Sequence, residues 1–157
     1  MSKNVLVIVP CGSAKVWDRH PDAGPVVAKD AYVGSPFKVN RKYAEACGDR
    51  WVILSAKYGF IKPDFIIHEP YEVTFNRKSS GPITDEALRK QMRAMRLNQY
   101  SEVIGLGGAA YRKRIEKVFE DTSVSLNFPF AGLAVGKAMQ AINQEIETHQ
   151  TAGSRSG

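Results

Sequence analysis

The sequence has 157 residues, 43% of them hydrophobic and 24% charged, with a formal net charge of +6 and a pI near 9.4. This length suits one domain with a proper core, so we expect a single domain over residues 1–149 and a disordered tail over 150–157. The basic charge favours an acidic partner, and nucleic acid is the first candidate.

Two cysteines exclude a disulfide framework, and the N-terminal apolar run is too short for a signal peptide or a membrane span. We therefore expect a cytoplasmic protein with reduced thiols and no membrane partner.

Apolar runs and helical periodicity alternate along the chain. Short runs rich in Val, Ile and Leu predict buried strands at VLVIV (5–9), WVILS (51–55), EVIGL (102–106) and VSLNF (124–128). Apolar positions at helical spacing predict helices over 37–47, from Thr84 to Met95, over 111–119 and from Ala134 onwards. This order predicts a three-layer α/β/α domain with a central, mostly parallel four-stranded sheet. Ligands of such sheets bind at the carboxyl ends of the strands.

The first predicted strand ends in a turn that carries several reactive or polar groups, in the segment VLVIVPCGSAK (5–15). The backbone N–H groups of a turn that holds glycine and Ser13 could cradle an anion, and Lys15 adds a positive charge. Cys11 becomes a candidate nucleophile if Lys15 or a helix end stabilises its thiolate. The Walker spacing is absent, so we do not expect a nucleoside-triphosphate loop. The turn is predicted to line a site.

The second predicted strand is followed by a long segment, residues 55–82, with little periodicity. Long loops in compact domains are usually functional or mobile. The segment contains Asp64, Glu69 and Glu72, which are candidates for an acid, a base or a charge stabiliser. The three histidines of the chain show no ligand spacing, so we expect neither a metal ion nor a cofactor.

The last two strand ends offer phosphate and base contacts. Gly107 and Gly108 precede a helix with Arg112, a combination that suits phosphate binding. The Asn127 amide could form donor and acceptor hydrogen bonds with the amide edge of a base, and Phe128 could stack on a base. A separate helical stripe carries Arg89 and Arg93 and suits a phosphate backbone.

Several motifs together resemble a widespread family of small, poorly characterised bacterial and phage proteins. The matching segments span residues 4–146 and read PCGSAK, AYVGSPF, LSAKYGFIKPD with PYE, and FPFAGLAVGKAMQAI. Members of this family carry a Cys-Ser-Lys-type turn after the first strand and an SAKYG-type loop after the second. The cysteine turn is also similar to one in the C-terminal part of archaeosine synthase, which works on a modified tRNA base.

More distantly, the layout resembles the uracil-DNA glycosylase superfamily, and this resemblance implies a uracil-DNA-glycosylase-like fold. In that superfamily, a loop after the last strand carries a histidine or asparagine followed by proline and small residues. The mismatch-specific branch has a motif similar to Asn127, Pro129, Ala131, Gly132 and Leu133. The PCGSAK turn departs from the superfamily because it lacks an Asp-Pro or Asn-Pro element. Either another acid activates water here, or the chemistry differs.

These observations predict a DNA glycosylase-like enzyme that hydrolyses the N-glycosidic bond of a modified base flipped out of DNA. A carboxylate would stabilise the cationic sugar and orient water, while lysines hold phosphates or attack the sugar as amines. One alternative is a non-catalytic nucleic-acid or nucleotide binding module. Another is a Cys11-dependent transferase acting on a modified nucleobase. We expect a monomer, and a phage-related or defence setting would fit a modified-base substrate.

The predicted site residues fall into three groups. The catalytic candidates are Asp64, Glu72, Asn127 and Lys57. The substrate-binding candidates are Cys11, Ser13, Lys15, Tyr32, Phe37, Ser55, Tyr58, Tyr71 and Phe128. The phosphate-binding or DNA-binding candidates are Gly107, Gly108, Arg112, Arg89 and Arg93.

Overall fold

The chain folds as an α/β protein, and the computed structural model describes residues 4–155. The strands in chain order are β1 (Val5–Pro10), β2 (Val26–Val27), β3 (Arg50–Ser55), β4 (Gly59–Ile61), β5 (Ile66–Ile67), β6 (Glu102–Gly105) and β7 (Ser125–Asn127). Five of them form the central sheet in the order β4–β3–β1–β6–β7. The β1, β3, β6 and β7 strands run parallel, as the four apolar runs predicted.

The prediction of a four-stranded sheet is wrong by one strand. The β4 strand pairs antiparallel with β3 through a tight turn, with Ser55 opposite Gly59 and Ile53 opposite Ile61. Gly59 has φ +79°, a left-handed conformation that side chains disfavour. A three-residue strand is too short to leave a periodic signal, so sequence reasoning assigned it to the long loop. A second ribbon pairs β2 with β5 and ties the same loop to the N-terminal part of the chain.

The helices are α1 (Ala28–Ala31), α2 (Ser35–Cys47), α3 (Asp85–Ala94), α4 (Ala109–Phe119) and α5 (Val135–Arg155). The predicted start at Thr84 is confirmed, because its hydroxyl accepts a hydrogen bond from the Ala87 N–H at 3.1 Å. The α5 helix includes residues 150–155 of the segment that the sequence suggests is disordered, and residues 156–157 lie outside the described residues. Within residues 4–155, none of the helices combines the length and apolar character that crossing a bilayer requires.

Alternate residues of β1 pack into two hydrophobic cores on opposite faces of the sheet. Val7 and Val9 belong to the core shared with α2 and α5, whereas Leu6 and Ile8 belong to the core shared with α3 and α4. All four are fully buried. This two-sided burial explains why the strand sequence is continuously apolar. It also leaves the strand ends as the places where polar groups of the sheet meet solvent.

Candidate functional site

The turn after β1 is anchored to the neighbouring strand and to the loop before α2. The Cys11 N–H donates to the Leu54 carbonyl at 3.0 Å, and Lys15 forms an isolated antiparallel bridge with Tyr32. The Lys15 N–H also donates to the Asp18 carboxylate at 2.9 Å. These bonds hold the segment from Cys11 to Lys15 at the carboxyl end of the sheet, as predicted for a strand-end site.

Lys15 is a buried cation. The residue is only 9% exposed, its Nζ donates to the Ser13 carbonyl at 3.4 Å, and Nζ lies 4.5 Å from the centre of the Tyr71 ring. No carboxylate oxygen of the described residues forms an ion pair with this ammonium group. Buried charges are normally paired, so Lys15 is suited to receive an anion from outside the protein.

A network of buried hydroxyl groups lies beneath the turn. The Tyr71 hydroxyl hydrogen-bonds the Tyr32 hydroxyl and, at 2.9 Å, the Ser55 hydroxyl. The Ser55 oxygen also accepts hydrogen bonds from the backbone N–H groups of Lys57 at 3.2 Å and Tyr58 at 3.1 Å. Ser55 is fully buried and ends β3, so the network fixes the loop after β3 against the Tyr71 segment.

Cys11 lies next to a further tyrosine at the start of α4. Its Sγ is 3.4 Å from the Tyr111 hydroxyl, which also donates to the Cys11 carbonyl at 3.3 Å. Burial raises the pKa of Tyr71 and Tyr111, and the nearby Cys11 sulfur raises it further because a thiolate repels a phenolate. The same causes raise the pKa of Tyr32. These phenols therefore keep their protons at neutral pH and act as hydrogen-bond partners rather than as bases.

These groups surround a cleft of about 400 Å³ at the carboxyl ends of the strands. We call this space the strand-end cleft; it is lined by Cys11, Gly12, Ser13, Lys15, Asp18, Pro70, Tyr71, Glu72, Val73, Thr74, Arg77 and Tyr111. The lining includes the basic side chains of Lys15 and Arg77 and the acidic side chains of Asp18 and Glu72. Among the described residues, no three histidine, cysteine or acidic side chains come close enough together to hold a metal ion.

A second space, of about 230 Å³, adjoins the cleft on the side of α2 and α5. We call it the apolar pocket; it is lined by Pro10, Cys11, Pro36, Asn40, Leu106, Gly107, Gly108, Tyr111, Arg112, Phe130, Leu133, Val135, Ala138, Met139 and Ile142. Gly107 has φ +107°, and a Cβ there would lie 2.8 Å from the Pro10 ring. Only glycine lets the loop after β6 approach the end of β1 so closely.

Comparison with known proteins finds a family of unknown function, DUF6884, whose model matches residues 6–144. This chain belongs to that family. The uncharacterized protein YfjM of Bacillus subtilis (strain 168) is 37% identical over 143 residues, which are 90% of this chain and 95% of that protein. The kinship with a poorly characterised family is therefore confirmed, and the resemblance to the uracil-DNA glycosylase superfamily stays a prediction.

One solved structure, AF0587, a protein of unknown function, is similar at a TM-score of 0.46 and 15% identity. The match covers 92% of this DUF6884 chain, which spans only 45% of that protein.

In this DUF6884 protein, part of the predicted site comes together in the cleft. Ser13, Lys15, Tyr71, Glu72 and Cys11 line it. Tyr32 and Ser55 lie buried beneath it, within the hydroxyl network. The Lys57 Nζ lies outside the cleft lining, over the rings of Tyr58 and Tyr71 at 5.1 and 5.6 Å. The glycines at 107 and 108 and Arg112 line the adjoining apolar pocket.

Other predicted residues lie away from the cleft. Asp64 is exposed and lines a surface hollow with Arg50 and Trp51, at the amino end of β3. Asn127 is exposed on the edge strand, where its amide donates to Glu102 at 3.2 Å.

The remaining aromatic and basic candidates are also outside the cleft lining. Phe37 is 2% exposed beneath the turn, and Phe128 packs over Gly105. Arg89 donates to Glu120 at 3.2 Å, and with Arg93 it borders a hollow between α3 and the end of α4. These two arginines therefore lie beside the end of α4, whereas Tyr111 at the start of that helix lines the cleft.

Four residues with polar side chains that line the cleft are not among the predicted site residues. Tyr111 was interpreted as a core position because it fits the apolar stripe of α4, and its hydroxyl was the overlooked signal. Thr74 and Arg77 follow Tyr71 and Glu72 in the long loop, and Asp18 follows the cysteine turn. None of these residues belongs to a motif with fixed spacing. Only the folding of the loop over the strand ends brings them to the cleft.

Proposed function

We propose that this protein is an enzyme that hydrolyses the N-glycosidic bond of a modified nucleobase in DNA. The partner is DNA that carries the modified base, and the base leaves its stack to reach the protein. The net charge of +6 supports a polyanionic partner. We propose that the enzyme is a cytoplasmic monomer that needs no cofactor. A phage-related or defence setting would fit such a substrate.

One observation carries the proposal: an unpaired buried cation and an exposed carboxylate share a single cleft. Lys15 is suited to a phosphate group, and Glu72 in the same cleft is the one catalytic acid candidate that lines it. Arg77 supplies a second cation at the cleft wall. The volume of about 400 Å³ lies within the range of small-ligand sites, which is roughly 300–1,000 Å³.

The reaction then follows ordinary glycosidic chemistry. As the bond between the sugar C1′ and the base nitrogen breaks, its electron pair leaves with the base, and positive charge develops on the sugar. The Glu72 carboxylate stabilises that charge and accepts a proton from the attacking water, whose oxygen bonds to C1′. The departing base takes up a proton from solvent. Lys15 and Arg77 hold the flanking phosphates.

A second function is favoured by the contact between the Cys11 sulfur and the Tyr111 hydroxyl at 3.4 Å. In a base-exchange reaction, the Cys11 thiolate would attack the substrate, and the displaced base would leave with the bonding electron pair. A second base would then displace the sulfur. In this case, the Tyr111 hydroxyl lies close enough to hydrogen-bond the attacking sulfur.

The experiment is a base-release assay on a panel of DNAs with normal, deaminated and hypermodified bases. Mass spectrometry measures the free base, and alkaline cleavage measures abasic sites. Release of one base that persists in Cys11→Ser supports hydrolysis. Loss of release in Cys11→Ser and after thiol alkylation favours the transferase. If the protein binds DNA in a salt-sensitive way but releases no base from any DNA, both the hydrolase and the transferase are contradicted. The protein would then be a non-catalytic nucleic-acid binding module.

A further inference from the structure

We infer that the apolar pocket is the base-recognition subsite and that the Asn40 amide selects the base. The inference rests on the proposed function, since it places the base of the same substrate whose phosphates face Lys15. It assigns the base to a space beside the strand-end cleft and to a residue of α2 that no sequence motif singled out. Three observations support it.

The first observation is the character of the pocket. Its walls are largely apolar and include Leu106, Met139 and Ile142 together with the aromatic residues Phe130 and Tyr111. Flat heteroaromatic bases bind in spaces of this kind, lined by apolar and aromatic groups with a few polar groups that fix their orientation. The pocket volume of about 230 Å³ admits one ring system rather than a whole nucleotide.

The second observation is Asn40 itself. It is 8% exposed, lies inside α2, and its side chain makes no hydrogen bond with any residue whose side chain the structure describes. Every fully enclosed side-chain nitrogen or oxygen atom in that part of the chain has a partner. The Asn40 amide is therefore not enclosed, and it opens into the pocket that it lines.

The Asn40 amide has no hydrogen-bond partner within the described protein, and placing a polar group in a largely apolar surrounding without such a partner is unfavourable. Asparagine is also a weak helix former compared with leucine. Neither the packing of α2 nor its helical propensity explains this residue. A ligand that presents a neighbouring donor and acceptor would satisfy both amide atoms at once, as bases do for asparagine elsewhere.

The third observation is the connection between the two spaces. Cys11 and Tyr111 line both the apolar pocket and the strand-end cleft. A nucleotide can therefore place its base in the pocket and its phosphate near Lys15. The bond that joins base and sugar then passes these two residues. This arrangement makes the Cys11–Tyr111 pair the boundary between base and sugar, whichever group performs the chemistry.

The test measures binding of free bases, which is independent of catalysis. Calorimetry would follow hypoxanthine, adenine, uracil and guanine added to the full-length protein. Asn40→Leu keeps the branched shape and the number of heavy atoms and removes the amide, while Asn40→Asp leaves only acceptors. Asn143→Leu, an exposed asparagine on α5, is the matched control.

The wild type should prefer one base, and Asn40→Leu should weaken that base by about 10- to 100-fold, as expected for a lost bidentate contact. Its melting temperature should not fall, because leucine fits an apolar surrounding better than an unpaired amide does. Asn40→Asp should shift the preference towards guanine, which offers two adjacent donors. Asn143→Leu should bind within about twofold of wild type.

Two results would overturn the inference: no binding of any base by the wild type, or the same base preference in Asn40→Leu as in the wild type. Failure of the proposed function is a different result. If Asn40→Leu loses base binding while no DNA releases a base, the subsite is supported and glycosidic hydrolysis is contradicted. If Asn40→Leu releases a base from DNA with the selectivity of the wild type, hydrolysis is supported and the subsite is contradicted.

Discussion

The two ends of the parallel sheet carry similar residue types in very different surroundings. At the carboxyl end, Lys15 is 9% exposed and faces Tyr71, while Glu72 lines the same cleft. At the amino end, Asp64 and Arg50 line an open hollow in which Asp64 is exposed to solvent. Both ends therefore hold acidic and basic side chains.

The difference between the ends is desolvation. Charges in water interact weakly, whereas charges and hydroxyls removed from water influence one another strongly. At the carboxyl end, burial raises the pKa of three tyrosines. The hydroxyls of Tyr32, Tyr71 and Ser55 form one hydrogen-bonded group, and the Tyr111 hydroxyl contacts the Cys11 sulfur. A list of polar residues does not identify a site. The arrangement that withdraws them from water does.

The sharpest contrast between the ends is expected in catalysis. Glu72→Gln should lower the rate of base release by about 100- to 10,000-fold, the usual range for a lost acid–base group. Asp64→Asn should leave the rate within about twofold, because that carboxylate lies at the other end of the sheet. Single-turnover assays measure both. Equal losses in the two variants would show that the sheet ends are not functionally distinct.

A pair of serines tests the same contrast in stability. Ser55→Ala removes the acceptor of two backbone N–H groups and the partner of Tyr71, so unfolding free energy should fall by about 2–3 kcal/mol. Ser101→Ala, at the amino end of β6, removes two hydrogen bonds to the exposed Asn4 backbone, and water replaces them. Its effect should be below about 1 kcal/mol. Urea denaturation measures both variants.

Alkaline pH should destabilise the carboxyl end through its tyrosines. Their pKa in the folded protein lies above the ordinary value of 10.0, so their contribution is complete below pH 10.0 and is lost as pH rises towards the folded value. Each buried phenol adds a slope of up to about 1.4 kcal/mol per pH unit in that window. Tyr71→Phe should reduce the slope of the unfolding free energy against pH by up to about 1.4 kcal/mol per pH unit. An unchanged slope in denaturation measured between pH 9 and pH 12 would contradict this.

The smallest contrast concerns two arginines, Arg77 and Arg89. Arg77 lines the strand-end cleft, so Arg77→Ala should reduce the salt dependence of DNA binding by about one phosphate contact, a slope change of about 0.9. Arg89 pairs with Glu120 at 3.2 Å, at the carboxyl-terminal end of α4. Arg89→Ala should leave the slope unchanged and lower stability by about 0.5 kcal/mol. Binding titrations at several salt concentrations separate the two.

Much of the fold was predictable because its signals are local. Strands buried on both faces are continuously apolar, and the helix starting after Thr84 carries its own cap and stripe. The β4 strand was missed because three residues show no period, and its pairing depends on the Gly59 turn. Hairpins of this length are decided by tertiary contacts more than by sequence pattern.

Part of the cleft was predictable because its residues lie near a strand end. Cys11 directly follows β1 and Lys15 lies in the same turn, so the parallel sheet brings them to the cleft. Tyr71 and Glu72 were predicted from their residue types in the long loop, and the folding of that loop brings them there. Asp64 and Glu72 lie in the same loop, but the antiparallel return of β4 carries Asp64 back to the amino end of β3. Asn40 is inside a helix and shows no sequence signal, because its importance comes from the pocket opposite it.

The central claim is that the ligand occupies the carboxyl end of the sheet. The most direct measurement is an NMR titration of labelled protein with deoxyinosine monophosphate, which carries both a base and a phosphate. We expect amide shift changes at Asn40 and at the cleft residues Cys11, Ser13, Lys15, Glu72 and Thr74, with Asp64 and Arg93 unchanged. Shift changes confined to Asp64 and Arg93, or none at any concentration, would contradict it.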